Sequence, residues 1–330
     1  MQIILADSDG KEIGFWKKER YLDVDIGSKN EFQIEVSLDA WKSERFNYGH
    51  MVFIPETEYG GIIGDIKSIT ETGIVEMTGD TWRGMLAKKI IEPPSGQDYK
   101  TVSGELNSVI QSLIGSQFGS LFFVSDKNTG IFIQSYKFDR YCTLLNGIED
   151  MLASVGYRIQ IRYLEGEAGE PGRVEIQAVK KVDYSDDIEF SQDCKVNFIA
   201  RDYRRGINHL ICAGTGEGTD RAVLHLYVQK DGTIGSKKYY TGLDERVALY
   251  SYTSQSDAEK LKEDGTKRLK ELMNYKEYEV SVEDVDLEVG DTVSGRDYVT
   301  GILVQKPITQ KILKIDGHKE KIEYKTKGDD

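Results

Sequence analysis

A glycine-dense stretch, Gly214-Thr215-Gly216-Glu217-Gly218, follows the apolar run Asn208–Ala213 and has the look of a loop that cradles phosphate. Such a loop needs a helix N-terminus directly after it, because first-turn N–H groups and the helix dipole hold the anion. The next run, Ala222–Gln229, alternates as a strand does, and Glu217 and Asp220 repel phosphate. The stretch therefore reads as a hairpin loop. Four histidines, His50, His209, His225 and His318, have neither H-E-x-x-H nor H-x₃₋₅-H spacing, so each reads as a satisfied or solvent-facing side chain. Cys142, Cys194 and Cys212 are odd in number and lack C-x-x-C spacing, which argues for free thiols over a disulfide framework or a zinc site. Asp183, Asp186 and Asp187 lie in a polar linker, and Glu165 and Glu167 lie in the loop EGEAGEPG; both groups read as solvated. There is no G-x-S-x-G elbow. No catalytic, cofactor or metal site is expected.

The elements that hold these residues are mostly strands. Residues 1–80 carry short alternating runs, among them Tyr21–Ile26, Glu31–Ser37, Gly61–Ile69 and Ile74–Thr78, punctuated by Gly10, Gly27 and Asn30. TWRGMLAKKII is a turn or two of helix, stopped at Pro93-Pro94. Val102, Leu106, Val109, Ile110, Leu113 and Ile114 fall at helical spacing, as do Leu144, Leu145, Ile148, Met151, Leu152 and Val155, with Gly156 placed to end that helix. YRIQIRYL and RVEIQAV follow as strands. From about residue 183 the strands are CKVNFIARDY, NHLICAG, AVLHLYVQ, SKKYYTG and RVALYSY. One helix interrupts them, with a capping box at Ser256 and Glu259 and a stripe weakened by Gly265.

The expected fold is mainly β with an α+β insert: two small β-barrel-like domains flanking an α+β domain. The boundaries are 1–95 (N-terminal, barrel-like), 96–185 (α+β insert) and 186–330 (C-terminal, barrel-like, with one helix). A chain of 330 residues suits two or three domains. No apolar run is long enough to span a membrane, and MQIILADSDG lacks the basic start of a signal peptide. The net charge of −13 disfavours specific binding to a phosphate backbone. It suits solubility alone, or a channel through which DNA slides without sticking.

The two β-rich ends resemble each other. Gly49-x-x-Val52 matches Gly290-x-x-Val293, and Tyr59 with Gly61-Ile62-Ile63 matches Tyr298 with Gly301-Ile302-Leu303. IVEMTGD and KIEYKTKG close the two segments. Gly49, Gly61, Gly290 and Gly301 are expected at turns or bulges where a side chain would obstruct neighbouring strands.

Three stretches together resemble the baseplate hub proteins of phage tails and prophages. GDTWRGMLAKKIIEPP (79–94) is similar to that family's junction after its first barrel: Leu86 and Ile90 match, Met85 stands for a Leu, and Lys88 or Lys89 for the usual Arg. LEVGDTVSGRDYVTG (287–301) and KIEYKTKG (321–328) look like its last-domain motif and final strand. The resemblance implies a homotrimeric ring, a symmetry adaptor with a tail tube or distal tail protein above and a spike or fibre below, assembled in the host cytoplasm into the virion tail. It makes Trp82, Leu86 and Ile90 a junction between domains. It implies no enzyme, since the peptidase or lysozyme domain that some tail-tip relatives append has no counterpart here. The rival readings are a tail-tip carbohydrate- or receptor-binding module, which would show exposed aromatics with Trp16, Trp41 and Trp82 as probes, and a cell-wall hydrolase with paired acids.

Overall fold

The computed structural model describes residues 2–15, 21–43, 46–166, 170–187, 189–194, 197–253, 255–282, 286–317 and 319–329; Trp16, Glu167 and His318 lie outside them. The chain is mainly β and forms two compact units. The first holds Met1–Tyr184, Ser281–Thr292 and Ile308–Tyr324; the second holds Ser185–Val280, Val293–Pro307 and Lys325–Asp330. The boundary expected at 185/186 falls beside this division, and the one expected at 95/96 falls inside the first unit.

The first unit begins with strands β1 (Ile4–Ala6), β2 (Glu12–Phe15), β3 (Tyr21–Ile26) and β4 (Glu31–Ser37), helix α1 (Leu38–Ser43), and strands β5 (Met51–Phe53), β6 (Gly60–Ile69) and β7 (Ile74–Thr81). They pair in the order β3-β4-β7-β6-β5-β1-β2. Alternation sets the register: Leu22 and Val24 of β3, and Phe32, Ile34 and Val36 of β4, all turn into one core. The β3–β4 turn needs Gly27, which has φ +97 and where a Cβ would overlap the Thr309 carbonyl oxygen. Asn30 Oδ1 accepts from the Gly27 amide at 2.7 Å and completes the turn.

After β7 come α2 (Trp82–Ala87), β8 (Thr101–Glu105), α3 (Leu106–Ile114), β9 (Phe122–Val124), β10 (Phe132–Lys137), α4 (Leu144–Ala153), β11 (Tyr157–Leu164) and β12 (Arg173–Lys180). β11, β12 and β9 form a small mixed sheet and β8 pairs with β10. The stripes expected on α3 and α4 are buried. Their core is not private to the insert: Ile4, Ala6, Met51 and Phe53 of β1 and β5 belong to the same cluster as Ile110, Ile148, Ile161 and Ile176.

The second unit holds β13 (Glu189–Phe190), β14 (Asn197–Tyr203), β15 (His209–Ala213), β16 (Val223–Val228), β17 (Ile234–Gly235), β18 (Val247–Ser251) and α5 (Ala258–Leu272), with most of β19 (Tyr275–Val282) and of β20 (Thr292–Arg296). β21 (Leu303–Asp316) and β22 (Lys319–Asp329) contribute residues to both units. Here the structure corrects the expected series of barrel strands. β15 to β18 form a separate sheet, in the order β17-β16-β15-β18, with α5 on one face. SKKYYTG is irregular. Alternation shows that a strand is half-buried but not which sheet it joins. The N-cap of α5 is Asp257, not Ser256: its carboxylate accepts from the Glu259 and Lys260 amides. Gly265 does not weaken the helix's packing; a Cβ there would overlap Cys212 Sγ, so glycine lets α5 lie against β15.

The remaining strands repeat a pattern. β1, β3, β4, β5, β6 and β7 form one set, and β13, β14, β19, β20, β21 and β22 form another. The sheet orders are β3-β4-β7-β6-β5-β1 and β14-β19-β22-β21-β20-β13. With each set ranked in chain order, both read second, third, sixth, fifth, fourth, first. One difference stands: β1 pairs antiparallel with β5, while the two-residue β13 pairs parallel with β20.

Candidate functional site

The repeated order is mirrored in the hydrogen bonds of its turns. The Gly49 amide donates to the Ile63 carbonyl and the Ile63 amide to that of His50, each at 2.9 Å. The Gly290 amide donates to the Ile308 carbonyl and the Ile308 amide to that of Asp291, each at 2.8 Å. Both glycines have positive φ, +80 and +101. Ile63 of β6 thus corresponds to Ile308 of β21. Gly61 and Gly301 do not correspond in this register. Gly61 is extended within β6, where a Cβ would overlap the Asp80 carbonyl oxygen; Gly301 has φ +73 in a turn with open space around it.

The 79–94 junction centres on α2. Thr81 caps it, accepting from the Gly84 amide at 3.2 Å. Trp82 and Leu86 are fully buried in the core that β1 and β5 share with the insert. Trp82 stacks on Tyr163 at 5.5 Å and meets Phe122 edge-on at 6.4 Å. Ile90 is 44% exposed while Ile91 is 5% exposed. The helix ends at Ala87, so helical spacing no longer decides which side chain turns inward; Ile90 joins the insert through a backbone bridge to Thr143.

Beside Trp82 lies a charge that sequence spacing did not single out. Arg83 is 2% exposed; its Nε and Nη2 donate to both oxygens of Glu58 at 2.6 and 3.0 Å, and Nη1 donates to Glu149 at 2.6 Å. Burial alone would lower this guanidinium, but the two carboxylates hold it above the usual arginine range. Two further buried pairs lie in the same unit. Arg158 Nε donates to Asp291 Oδ1 at 2.9 Å, and that oxygen also accepts from the Val182 amide. Lys311 donates to Glu288 and Asp286 at 3.1 and 3.3 Å and sits 5.1 Å over the Tyr59 ring. An unpaired buried charge is expensive, so each partner fixes the other's place.

The second unit brings together two histidines that are sixteen residues apart. His209 Nδ1 lies 2.7 Å from Glu245, and its Nε2 lies 2.8 Å from His225 Nδ1. Tyr227 stacks on His209 at 4.4 Å. Adjacent strands β15 and β16 place them, by a pairing of register that no local spacing rule detects. Among the described residues, no cluster of His, Cys, Asp or Glu could hold a metal ion. The glycine-dense loop is the β15–β16 hairpin connection, with a 3₁₀ turn at Gly218–Asp220 and a strand, not an α-helix, directly after it. Asp186 and Asp187 are exposed.

No protein family and no curated protein matches the chain by sequence. Solved structures do. A tail protein from Neisseria meningitidis MC58 superposes with a TM-score of 0.52 at 14% identity, over 99% of this chain and 97% of that one. The 43 kDa tail protein of prophage MuSo2 from Shewanella oneidensis gives 0.54 at 14% identity, over 99% and 98%. The chain has the fold of phage tail proteins. Trp82 is buried, and Trp41 is half-buried and stacks against Phe46 at 6.1 Å. No helix among the described residues is long and apolar enough to cross a membrane.

Proposed function

We propose that the chain is a structural, non-enzymatic subunit of a phage or prophage tail: a baseplate hub that trimerises into a ring between the tail tube and the spike or tip. The observation that carries this is the repeated six-strand order. Two like six-strand sets in each of three chains give six like units, which can meet a six-fold tube on one side and a three-fold spike on the other. Segments 1–95 and 186–330 supply one set each, and 96–185 is the insert. Similarity to tail proteins over 99% of the chain supports the reading. The net charge of −13 suits a passage through which DNA slides.

The test is co-expression with candidate tail-tube and spike proteins, followed by light scattering and negative-stain imaging. Three-chain rings are expected. A monodisperse monomer at high concentration, with no ring beside its partners, would overturn the reading.

A further inference from the structure

Equivalent strands of the two sets have unequal neighbours. β3, the second strand of the first set, is paired on both sides: with β4, and with β21 along Tyr21–Ile26 against Lys311–Asp316. β14, its counterpart, stands at the end of its sheet and pairs only with β19 among the described residues. β21 and β6 show the complementary inequality. β21 pairs with β20 and, further along the strand, with β3. β6 pairs with β5 at Gly60–Ile62, but beyond Ile63 its only strand partner among the described residues is β7. Each chain thus has one open edge of the β3 kind and one of the β21 kind.

We propose that the outer edge of β14 in one chain pairs antiparallel with the C-terminal half of β6 in a second copy, repeating between chains the β3–β21 pairing made within one. The partner is therefore another copy of this chain, held by a backbone ladder. Both edges are built for it. Neither Asn197–Tyr203 nor Gly64–Ile69 contains proline, so each residue whose amide points to the open edge has one to give. Ile199 on β14 is 61% exposed, an apolar side chain on an open strand edge. The chain carries −13 overall, yet each edge holds one acid and one base: Asp65 and Lys67 on β6, Arg201 and Asp202 on β14. The edges can therefore approach without net repulsion. The contact is head-to-tail, so it closes a ring or grows a filament. Closure at three chains rests on the hub reading above; the edge pairing does not.

The test uses full-length chains in which the exposed Cys194 is replaced by serine. One set carries K67C or I69C, the other I199C or R201C. Facing residues of an antiparallel pair lie about 4.5–5.5 Å apart at Cα, within disulfide reach. Mixing the two sets under mild oxidation should give a mixed-disulfide dimer in at least one combination, and neither set alone should cross-link comparably. The double variant I69C/I199C should give a cross-linked ladder ending at three chains. No cross-link in any mixture, or equal cross-linking of like with like, overturns the edge assignment, even if rings are seen by imaging. Cross-links that grow into open chains uphold the edge assignment and overturn the three-chain ring.

Discussion

The two six-strand sets share a strand order, yet each lives in different surroundings. In the first set β1 is wholly buried and lends Ile4 and Ala6 to a core completed by α3, α4, β11 and β12. In the second set, β15 to β18 and α5 are inserted between the second and third strands, and they build a core of their own from Leu210, Cys212, Leu226, Leu261 and Leu269. A hydrogen-bonded ladder tolerates a whole folded insert in a connection, because closing a longer loop costs only slowly more entropy. A shared core does not allow the same freedom. The first set's insert is therefore bound by volume and charge, the second's by its own packing.

The largest expected effect tests that contrast. R83M leaves Glu58 and Glu149 without their counter-charge and should destabilise the first unit by about 3–5 kcal/mol. Trp41 and Trp82 lie in that unit, and Trp16 falls within its span of sequence, so the urea midpoint followed by tryptophan fluorescence reads it selectively. R83M/E58Q/E149Q should recover much of the loss. A loss below about 1 kcal/mol would show that the buried cluster does not hold the insert. Next in size is G61A, where the new Cβ overlaps the Asp80 carbonyl oxygen and lies 2.8 Å from the Phe32 ring; it should cost about 1–3 kcal/mol as overpacking. Smaller again, G49A and G290A each force alanine into positive φ and should cost a similar ~1–2 kcal/mol. Unequal losses would mean that the matching hydrogen bonds do not make the two turns equivalent. In the second unit, D257A should cost ~1 kcal/mol through loss of the α5 cap, with S256A near neutral.

Much of this was legible in the sequence where the signal is local. The α3 and α4 stripes, the hairpin reading of Gly214–Gly218 and the likeness of Gly49 to Gly290 rest on periodicity and turn chemistry, which act over a few residues. What was missed depends on long-range pairing. No spacing rule links Arg83 to Glu58 and Glu149, or His209 to Glu245. Gly61 and Gly301 look alike in sequence, but the second copy has four more residues between its turn glycine and the matching isoleucine; the ladder shows one glycine in a strand and the other in a turn. The strands β15 to β18 read as part of the barrel because their alternation is that of any half-buried strand.

The smallest effect is a difference in acid response. In the second unit, hydrogen bonds hold carboxyls below their usual range: Arg204 on Asp202, Thr233 on Asp231, Lys238 and His209 on Glu245, and Thr300 on Asp297. A depressed carboxyl binds fewer protons folded than unfolded, so its contribution is present above the unfolded value of about 4 and is lost as the pH falls below it. In the first unit, burial raises Asp23, Glu149 and Glu288 against the opposing pull of Lys314, Arg83 and Lys311. A raised carboxyl has the opposite sign: its contribution is full below about 4 and is lost as the pH rises through its folded value. Glu105 and Glu323 are depressed in the first unit, but they act only on the acid side of that limit. Between about pH 6 and 4 the fluorescence midpoint of the first unit should therefore climb slightly, and D23N/E288Q should remove part of that climb, leaving the share of Glu149. Below about pH 4 the second unit should weaken, read as far-UV signal lost before the tryptophan signal. If the double variant keeps the full climb, those two carboxyls are not its source, and the contrast between a core laced with charge and a surface laced with hydrogen bonds loses its acid signature.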